Sequence, residues 1–117
     1  MKRGIFASLL LGVLIVSGCK DDSGPGNSKV FKYSGAIQCE PGSGTSLAAM
    51  QRELTDAGID VICAQTGGDG LNRIQLCGSA SGAINIYTIR TANLPDAEAL
   101  GFASVLTLSE YQDSACR

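Results

Sequence analysis

Four cysteines constrain the folding of this chain more than any other feature. They are Cys39, Cys63, Cys77 and Cys116, and successive members are 24, 14 and 39 residues apart. Zinc ligands usually occur as close pairs of the Cys-x-x-Cys type, which these spacings do not provide. If the chain is exported, an even number of cysteines in a small domain instead predicts two disulfides, and three connectivities are possible.

The N-terminus has the features of an export signal. Lys2 and Arg3 precede an apolar run over residues 5–16, which small residues follow. A positive region, a short apolar region and small residues form the pattern of a secretory signal peptide. The run is too short to span a membrane, because a spanning helix needs about 20 apolar residues. We therefore predict a signal peptide over residues 1–18.

The apolar run ends in Val16-Ser17-Gly18-Cys19, an aliphatic residue, two small residues and a cysteine. This tetrapeptide resembles the lipobox of bacterial lipoproteins, and the resemblance covers residues 1–19 only. It implies cleavage before Cys19, lipid on the Cys19 sulfur and a chain held at a membrane of the cell envelope. In a Gram-negative envelope, Lys20 after the cysteine favours the periplasmic face of the outer membrane over the inner membrane. An ordinary secretion signal is the alternative.

The mature chain is long enough for one domain. Cleavage before Cys19 leaves 99 of the 117 residues, which is a common size for a single domain. Residues 19–28 are polar and rich in glycine and serine after the cysteine, so they predict a flexible tether. We expect residues 29–117 to form the domain.

Composition excludes several classes of function. The net charge of −2 becomes −4 without Lys2 and Arg3, and no basic patch is present, so nucleic acid is not an expected partner. The chain contains no histidine. Ser-His-Asp catalysis, Cys-His catalysis and histidine-ligated metals are therefore excluded. We expect no catalytic residue, no metal and no cofactor.

Apolar periodicity predicts the element order β-α-β-β-α-β. The predicted strands cover residues 30–39, 59–64, 83–90 and 103–108, and residues 110–117 read as a polar tail. One helix starts at a cap on Thr45 or Ser46, a second starts at a cap on Asn93, and Gly58 and Gly101 end them. This order predicts an α+β fold, a small ferredoxin-like (split βαβ) sandwich with an antiparallel sheet, two helices and a long disulfide-stapled loop.

The predicted topology ranks the possible disulfides. It places Cys39, Cys63 and Cys77 near one end of the sheet, and Cys63 and Cys77 bracket most of the glycine-rich loop 65–82. Joining these two would close about 15 residues and stabilise the fold by about 3 kcal/mol. We therefore favour Cys63–Cys77 with Cys39–Cys116, and we keep Cys39–Cys77 as the alternative.

Loop 65–82 is the best candidate for a binding surface, because rigid scaffolds commonly present recognition residues on loops. Its candidate binding residues are Asp69, Leu71, Asn72 and Arg73. Asp69 and Asn72 offer oxygen ligands, but an EF-hand calcium loop needs more carboxylates than this segment has. A tolerated insertion is the alternative interpretation of the loop.

These features together predict a non-catalytic binding or structural protein of the cell envelope. We expect it to be anchored to the membrane through lipid on Cys19 and to bind another envelope protein or peptidoglycan. Two alternatives stay open: a thiol-redox or metal-binding protein that uses Cys63 and Cys77, and an inhibitor of a protease or another enzyme that presents loop 65–82. Fold analogy does not decide among them.

Overall fold

A five-stranded antiparallel sheet is the centre of the structure. A computed structural model of the protein describes residues 26–116, so the predicted signal peptide, Cys19 and most of the predicted tether lie outside the described residues. The elements in chain order are β1 (Asn27–Tyr33), α1 (Leu47–Asp56), β2 (Cys63–Gly68), β3 (Ala83–Arg90), α2 (Leu94–Ala99), β4 (Ala103–Ser104) and β5 (Gln112–Asp113). The sheet order is β4-β1-β3-β2-β5, and every neighbouring pair is antiparallel. The fold is α+β, as predicted.

Helix α1 begins and ends where the sequence predicts. The Ser46 hydroxyl caps it by accepting a hydrogen bond from the Ala49 N–H at 3.1 Å. At the other end, the Gly58 N–H bonds to the Thr55 carbonyl and the Ile59 N–H to the Leu54 carbonyl, each at 3.0 Å. This pair of bonds is a Schellman ending, which satisfies carbonyl groups that the helix itself leaves free.

The start of α2 differs from the prediction, whereas its end agrees. Asn93 makes no side-chain capping bond, because it ends a 3-10 turn over Thr91–Asn93 and has φ −93° and ψ 2°. A capping residue normally has extended backbone angles. The end of α2 repeats that of α1, since the Phe102 N–H bonds to the Ala97 carbonyl at 3.1 Å.

The sheet is apolar on both faces. Both helices pack on one face, and the buried residues of this cluster are Val30, Met50, Leu54, Ile59, Ala64, Tyr87, Ile89, Ala97 and Phe102. The opposite face carries a second buried cluster of Phe31, Ile84, Ile86 and Val105. Alternate residues of β3 contribute to the two clusters, and β3 lies between β1 and β2. The apolar residues on both faces of β3 therefore agree with its central position in the sheet.

Strands β1 and β2 are displaced from their predicted positions. β1 ends at Tyr33, before Gly35, instead of residue 39, and it starts inside the predicted tether. β2 covers Cys63–Gly68 instead of residues 59–64, because Ile59 completes the ending of α1 and is buried there. The first four residues of the predicted loop 65–82 therefore belong to β2.

The C-terminal segment differs most from the prediction. The predicted strand over residues 103–108 is only two residues long, because Ser104 caps a 3-10 turn over Val105–Thr107 and accepts a hydrogen bond from the Leu106 N–H at 3.1 Å. The chain then crosses the face opposite the helices, with Leu108 and Tyr111 packed on the second apolar cluster. It ends as β5 beside β2, at the far edge of the sheet. The predicted polar tail is therefore a fifth strand and part of the cover of this cluster.

Gly67 allows β5 to lie close to β2. A Cβ atom added at Gly67 would overlap the Gln112 carbonyl oxygen, whereas one added at Gly68 would meet nothing within 4 Å. We expect Gly67→Ala to displace β5 and lower the free energy of unfolding by about 2 kcal/mol, as overpacking substitutions do. Gly68→Ala is the control and should change it by less than about 0.5 kcal/mol. Chemical denaturation of both variants measures the difference, and equal effects would contradict the close packing.

The two ends of the sheet carry different features. We refer to the end with Asn27, Cys63 and Arg90 as the tether end, because the predicted tether joins the described chain there, and to the end with Tyr33 and Ala83 as the loop end. Asn27 pairs with Arg90 at one end of β1, and Tyr33 pairs with Ile84 at the other. At about 3.4 Å per residue, the ends of β1 are about 20 Å apart.

One disulfide lies at each end of the sheet, so the prediction of two disulfides is confirmed. Cys39 is bonded to Cys77 at the loop end, with a Cα–Cα distance of 5.1 Å, and Cys63 is bonded to Cys116 at the tether end, with a distance of 5.4 Å. The favoured pairing of Cys63 with Cys77 and of Cys39 with Cys116 is wrong, and the alternative Cys39–Cys77 is found. Because Cys63 begins β2, opposite Thr88, it lies a full strand away from the loop that contains Cys77.

Candidate functional site

The candidate site is the connection between β2 and β3, residues 69–82, which we refer to as the stapled loop. It extends from the loop end of the sheet beside the connection between β1 and α1, residues 34–46. The Cys39–Cys77 disulfide joins the two connections. Every residue from 70 to 78 is exposed. The stapled loop therefore combines covalent attachment with a freely accessible surface.

Three large apolar side chains of the stapled loop point into solvent. The exposed fraction is 56% for Leu71, 78% for Ile74 and 58% for Leu76. Single exposed apolar residues are normal on protein surfaces, but a contiguous group marks an interaction site more often. These three lie within six residues of one exposed loop, and we refer to them as the apolar trio.

A buried carboxylate fixes the base of the stapled loop. Asp69 is only 3% exposed, and its carboxylate accepts hydrogen bonds from the Tyr33 hydroxyl at 2.9 Å and from the Leu71 N–H at 3.0 Å. The same carboxylate forms an ion pair with the Arg73 guanidinium. The Asp69 N–H donates to the Gly82 carbonyl at 3.0 Å, which joins the two ends of the loop.

These contacts keep the Asp69 carboxyl charged. Burial by itself raises the pKa of this carboxyl, but the hydrogen bonds from Leu71, Arg73 and Tyr33 and the charge of Arg73 outweigh burial. The pKa of Asp69 therefore lies below its ordinary value of 3.8. On Tyr33, burial and the neighbouring Asp69 carboxylate raise the pKa of the phenol.

The Gln38 side chain braces the far part of the stapled loop. Its amide nitrogen donates to the Ile74 carbonyl at 2.9 Å and to the Ala80 carbonyl at 3.2 Å. Its amide oxygen accepts from the Leu76 N–H at 3.0 Å. Gln38 directly precedes the disulfide-bonded Cys39, so a covalent and a hydrogen-bonded attachment act side by side. Sequence reasoning missed Gln38, because a single glutamine gives no sign of which backbone groups it will contact.

The four predicted binding residues have different positions in the stapled loop. Asp69 and Arg73 bind each other inside it, and the Arg73 side chain is 31% exposed. Leu71 and Asn72 are exposed. The structure thus brings Asp69, Leu71 and Arg73 into contact and leaves Asn72 on the surface. Ile74 and Leu76, which are also exposed, were not among the predicted binding residues.

A shallow cleft of about 500 Å³ lies beside the base of the stapled loop. Its lining includes Gly68, Asp69, Asn72, Ser81 and Gln112. Four of the lining residues are glycines, which present backbone groups, and the Asp69 carboxylate is already occupied by Tyr33, Leu71 and Arg73. The site can therefore offer hydrogen bonds from the cleft and an apolar surface from the trio.

The described residues contain no group of three cysteine, aspartate or glutamate side chains placed to hold a metal ion. Among residues 26–116, no helix has the length and apolarity needed to cross a membrane.

Comparison with protein-family models, with curated proteins and with solved structures finds no match to this chain. The function is therefore inferred from the geometry of the site.

Proposed function

We propose that this chain is a lipid-anchored, non-catalytic protein of the cell envelope and that its stapled loop binds another envelope protein. The observation that carries the proposal is the apolar trio on a loop that is fixed at its base and at its far part. A binding segment that is already ordered loses less conformational freedom when it binds. Leu71, Ile74 and Leu76 would be buried in the complex, each contributing about 1.5–3 kcal/mol of apolar transfer free energy at most.

The position of the loop supports the same proposal. The predicted lipid on Cys19 would hold the chain near Asn27, at the tether end of the sheet. The stapled loop extends from the opposite end, about 20 Å away along β1. A domain anchored in this way can turn its apolar trio away from the membrane, where it is accessible to proteins. Peptidoglycan is a less suitable partner, because its polar glycan strands do not match an apolar surface.

Two further features support the location and the topology that we propose. Two disulfides are typical of an oxidising compartment, which is consistent with export to the envelope, and Lys20 favours the outer membrane. The sheet order β4-β1-β3-β2, with both helices packed on one face, supports a ferredoxin-like topology to which β5 has been added.

Photo-crosslinking in living cells tests the proposed partner. A photoreactive amino acid at Ile74 should produce a covalent adduct with one envelope protein. Replacing both Leu71 and Leu76 by serine should abolish the adduct, because the side chains that the partner covers would then be polar. These residues are exposed, so the substitutions should leave the free energy of unfolding within about 0.5 kcal/mol of the parent value.

A matched control uses Leu106, which is 91% exposed and lies on the turn after β4. A photoreactive amino acid at this position should not capture the same protein. The proposal is wrong if Ile74 gives no adduct, if Leu106 captures the same protein equally well, or if the adduct survives the two serine substitutions.

A second candidate function is inhibition of a protease or another enzyme by the stapled loop. The braced backbone between Asp69 and Gly82 favours it, because a rigid exposed loop can occupy an enzyme cleft without refolding. The partner captured at Ile74 distinguishes the candidates, since an inhibitor would be linked at or beside the active site of an enzyme. The structure gives no support to a thiol pair of Cys63 and Cys77, because each belongs to a different disulfide at a different end of the sheet.

A further inference from the structure

The exposed apolar side chains fall at the two ends of the sheet. The apolar trio and Tyr33 lie at the loop end, whereas Ile62, directly before Cys63, lies at the tether end. Leu106 also lies towards the tether end, because the chain leaves β4 from Ser104, which pairs with Val30, in the direction of Asn27. At 91% exposure it is the most exposed large apolar side chain among residues 26–116.

The turn that carries Leu106 is firmly attached to the domain. The Ser104 hydroxyl accepts a hydrogen bond from the Leu106 N–H at 3.1 Å, and the Thr107 hydroxyl donates to the Ser104 carbonyl at 2.8 Å. Val105, the neighbour of Leu106, is buried in the second apolar cluster. The leucine is therefore held outward by a fixed turn.

Leu106 lies beside the place where the tether joins the domain. A cleft of about 300 Å³ between the turn and the start of β1 is lined by Asn27, Ser28, Lys29 and Leu106, among others. Seven residues separate Cys19 from Asn27, and the eight residue steps between these two span about 29 Å at most. Lipid on Cys19 would therefore keep Leu106 within reach of the bilayer surface.

We propose that the turn over Val105–Thr107 contacts the bilayer and that Leu106 inserts between the lipid headgroups. The inference rests on the proposed lipid anchor at Cys19. The anchor supplies the high local lipid concentration, and the single leucine then sets the orientation of the domain. With Leu106 in the bilayer surface, the loop end points away from the membrane, and the apolar trio remains free to bind a protein partner.

Tryptophan fluorescence tests this contact directly, because the chain has no tryptophan of its own. The Leu106→Trp variant is purified from cell membranes in its lipidated form and reconstituted into phosphatidylcholine vesicles. Its emission should shift to the blue, and it should lose intensity when the lipid is replaced by phosphatidylcholine brominated near the top of the acyl chains. Ile74→Trp is the matched control at the loop end and should show neither change.

Flotation of the vesicles separates the two proposals. If the protein floats with the vesicles but brominated lipid does not quench the tryptophan at position 106, the proposed bilayer contact is wrong. The proposed lipid anchor is then still supported. Protein that does not float overturns the anchor and the bilayer contact together. A blue shift at position 106 without quenching would place Leu106 against a second copy of the chain and would also overturn the bilayer contact.

Discussion

Replacing Cys39 and Cys77 together by serine is expected to lower the free energy of unfolding by about 4 kcal/mol and to open the stapled loop. The disulfide joins residues that are 38 positions apart, so its loss increases the freedom of the unfolded chain considerably. Domains of this size are stable by only about 5–15 kcal/mol. Chemical denaturation measures the global loss, and hydrogen exchange of the amides from Leu71 to Ala80 measures the opening.

The second disulfide provides a matched control at the other end of the sheet. Cys63 and Cys116 are 53 positions apart, so replacing both by serine should cost a similar free energy of unfolding, about 4 kcal/mol. This pair attaches the C-terminal segment to β2 and does not contact the stapled loop. Amide exchange in the loop should therefore stay as slow, relative to global unfolding, as in the parent. Equal opening of the loop in both double variants would contradict the local role of Cys39–Cys77.

Local signals in the sequence predicted the helices well. Ser46 at the start of α1 and the pairs Gly58-Ile59 and Gly101-Phe102 at the helix ends act within a few residues, so their effect can be read directly. The apolar residues of β3 alternate over both faces, and this strand is central. The helix ends depend on residues close together in the chain, and the position of β3 depends on the burial of its apolar residues. Both features can be seen in the sequence.

Contacts between distant segments could not be predicted in the same way. Gly67 reads as part of a loop because glycine is unfavourable in strands, yet here its missing side chain makes room for the Gln112 backbone. Because β2 starts at Cys63 instead of ending near it, this cysteine lies at the tether end of the sheet. The favoured pair Cys63–Cys77 is therefore too far apart, and the alternative Cys39–Cys77 forms. Gln38 and β5 act only through partners far along the chain, so neither has a local pattern.

The stapled loop combines features that the sequence shows separately. Its length and its glycines predicted either a binding surface presented by a rigid scaffold or a tolerated insertion. The structure shows attachments at its base, through Asp69, and at its far part, through Gln38 with the Cys39–Cys77 disulfide. Fixing a loop in this way while leaving Ile74 and its neighbours exposed costs conformational freedom without forming a core. A binding role would give this ordered, exposed loop a use. We therefore prefer a binding role to the interpretation of the loop as a tolerated insertion.

The Asp69→Asn substitution is expected to destabilise the stapled loop by about 3 kcal/mol near neutral pH, because it leaves the partly buried Arg73 guanidinium without its counter-charge. Asparagine has the same shape, and its oxygen can still accept the Leu71 hydrogen bond. Its NH2 group replaces the oxygen that accepts from Tyr33 and Arg73, so the effect reports the loss of the charge together with this acceptor. The pKa of the Asp69 carboxyl is lowered by folding, and its stabilising contribution is therefore fully present above the ordinary value of 3.8 and is lost as the pH falls through the lower folded value. Hydrogen exchange of the loop amides against pH measures both effects.

Asp113→Asn is the control for this substitution, since Asp113 forms an exposed ion pair with Lys29 at 3.3 Å. An exposed pair of this kind contributes about 0–1 kcal/mol, so the variant should keep the loop as protected as in the parent. In Asp69→Asn the loop should be loose near neutral pH and should show no further loosening in acid, because the group that titrates has been removed. A loop that is equally protected in the parent and in Asp69→Asn near neutral pH would show that the buried carboxylate does not hold it in place.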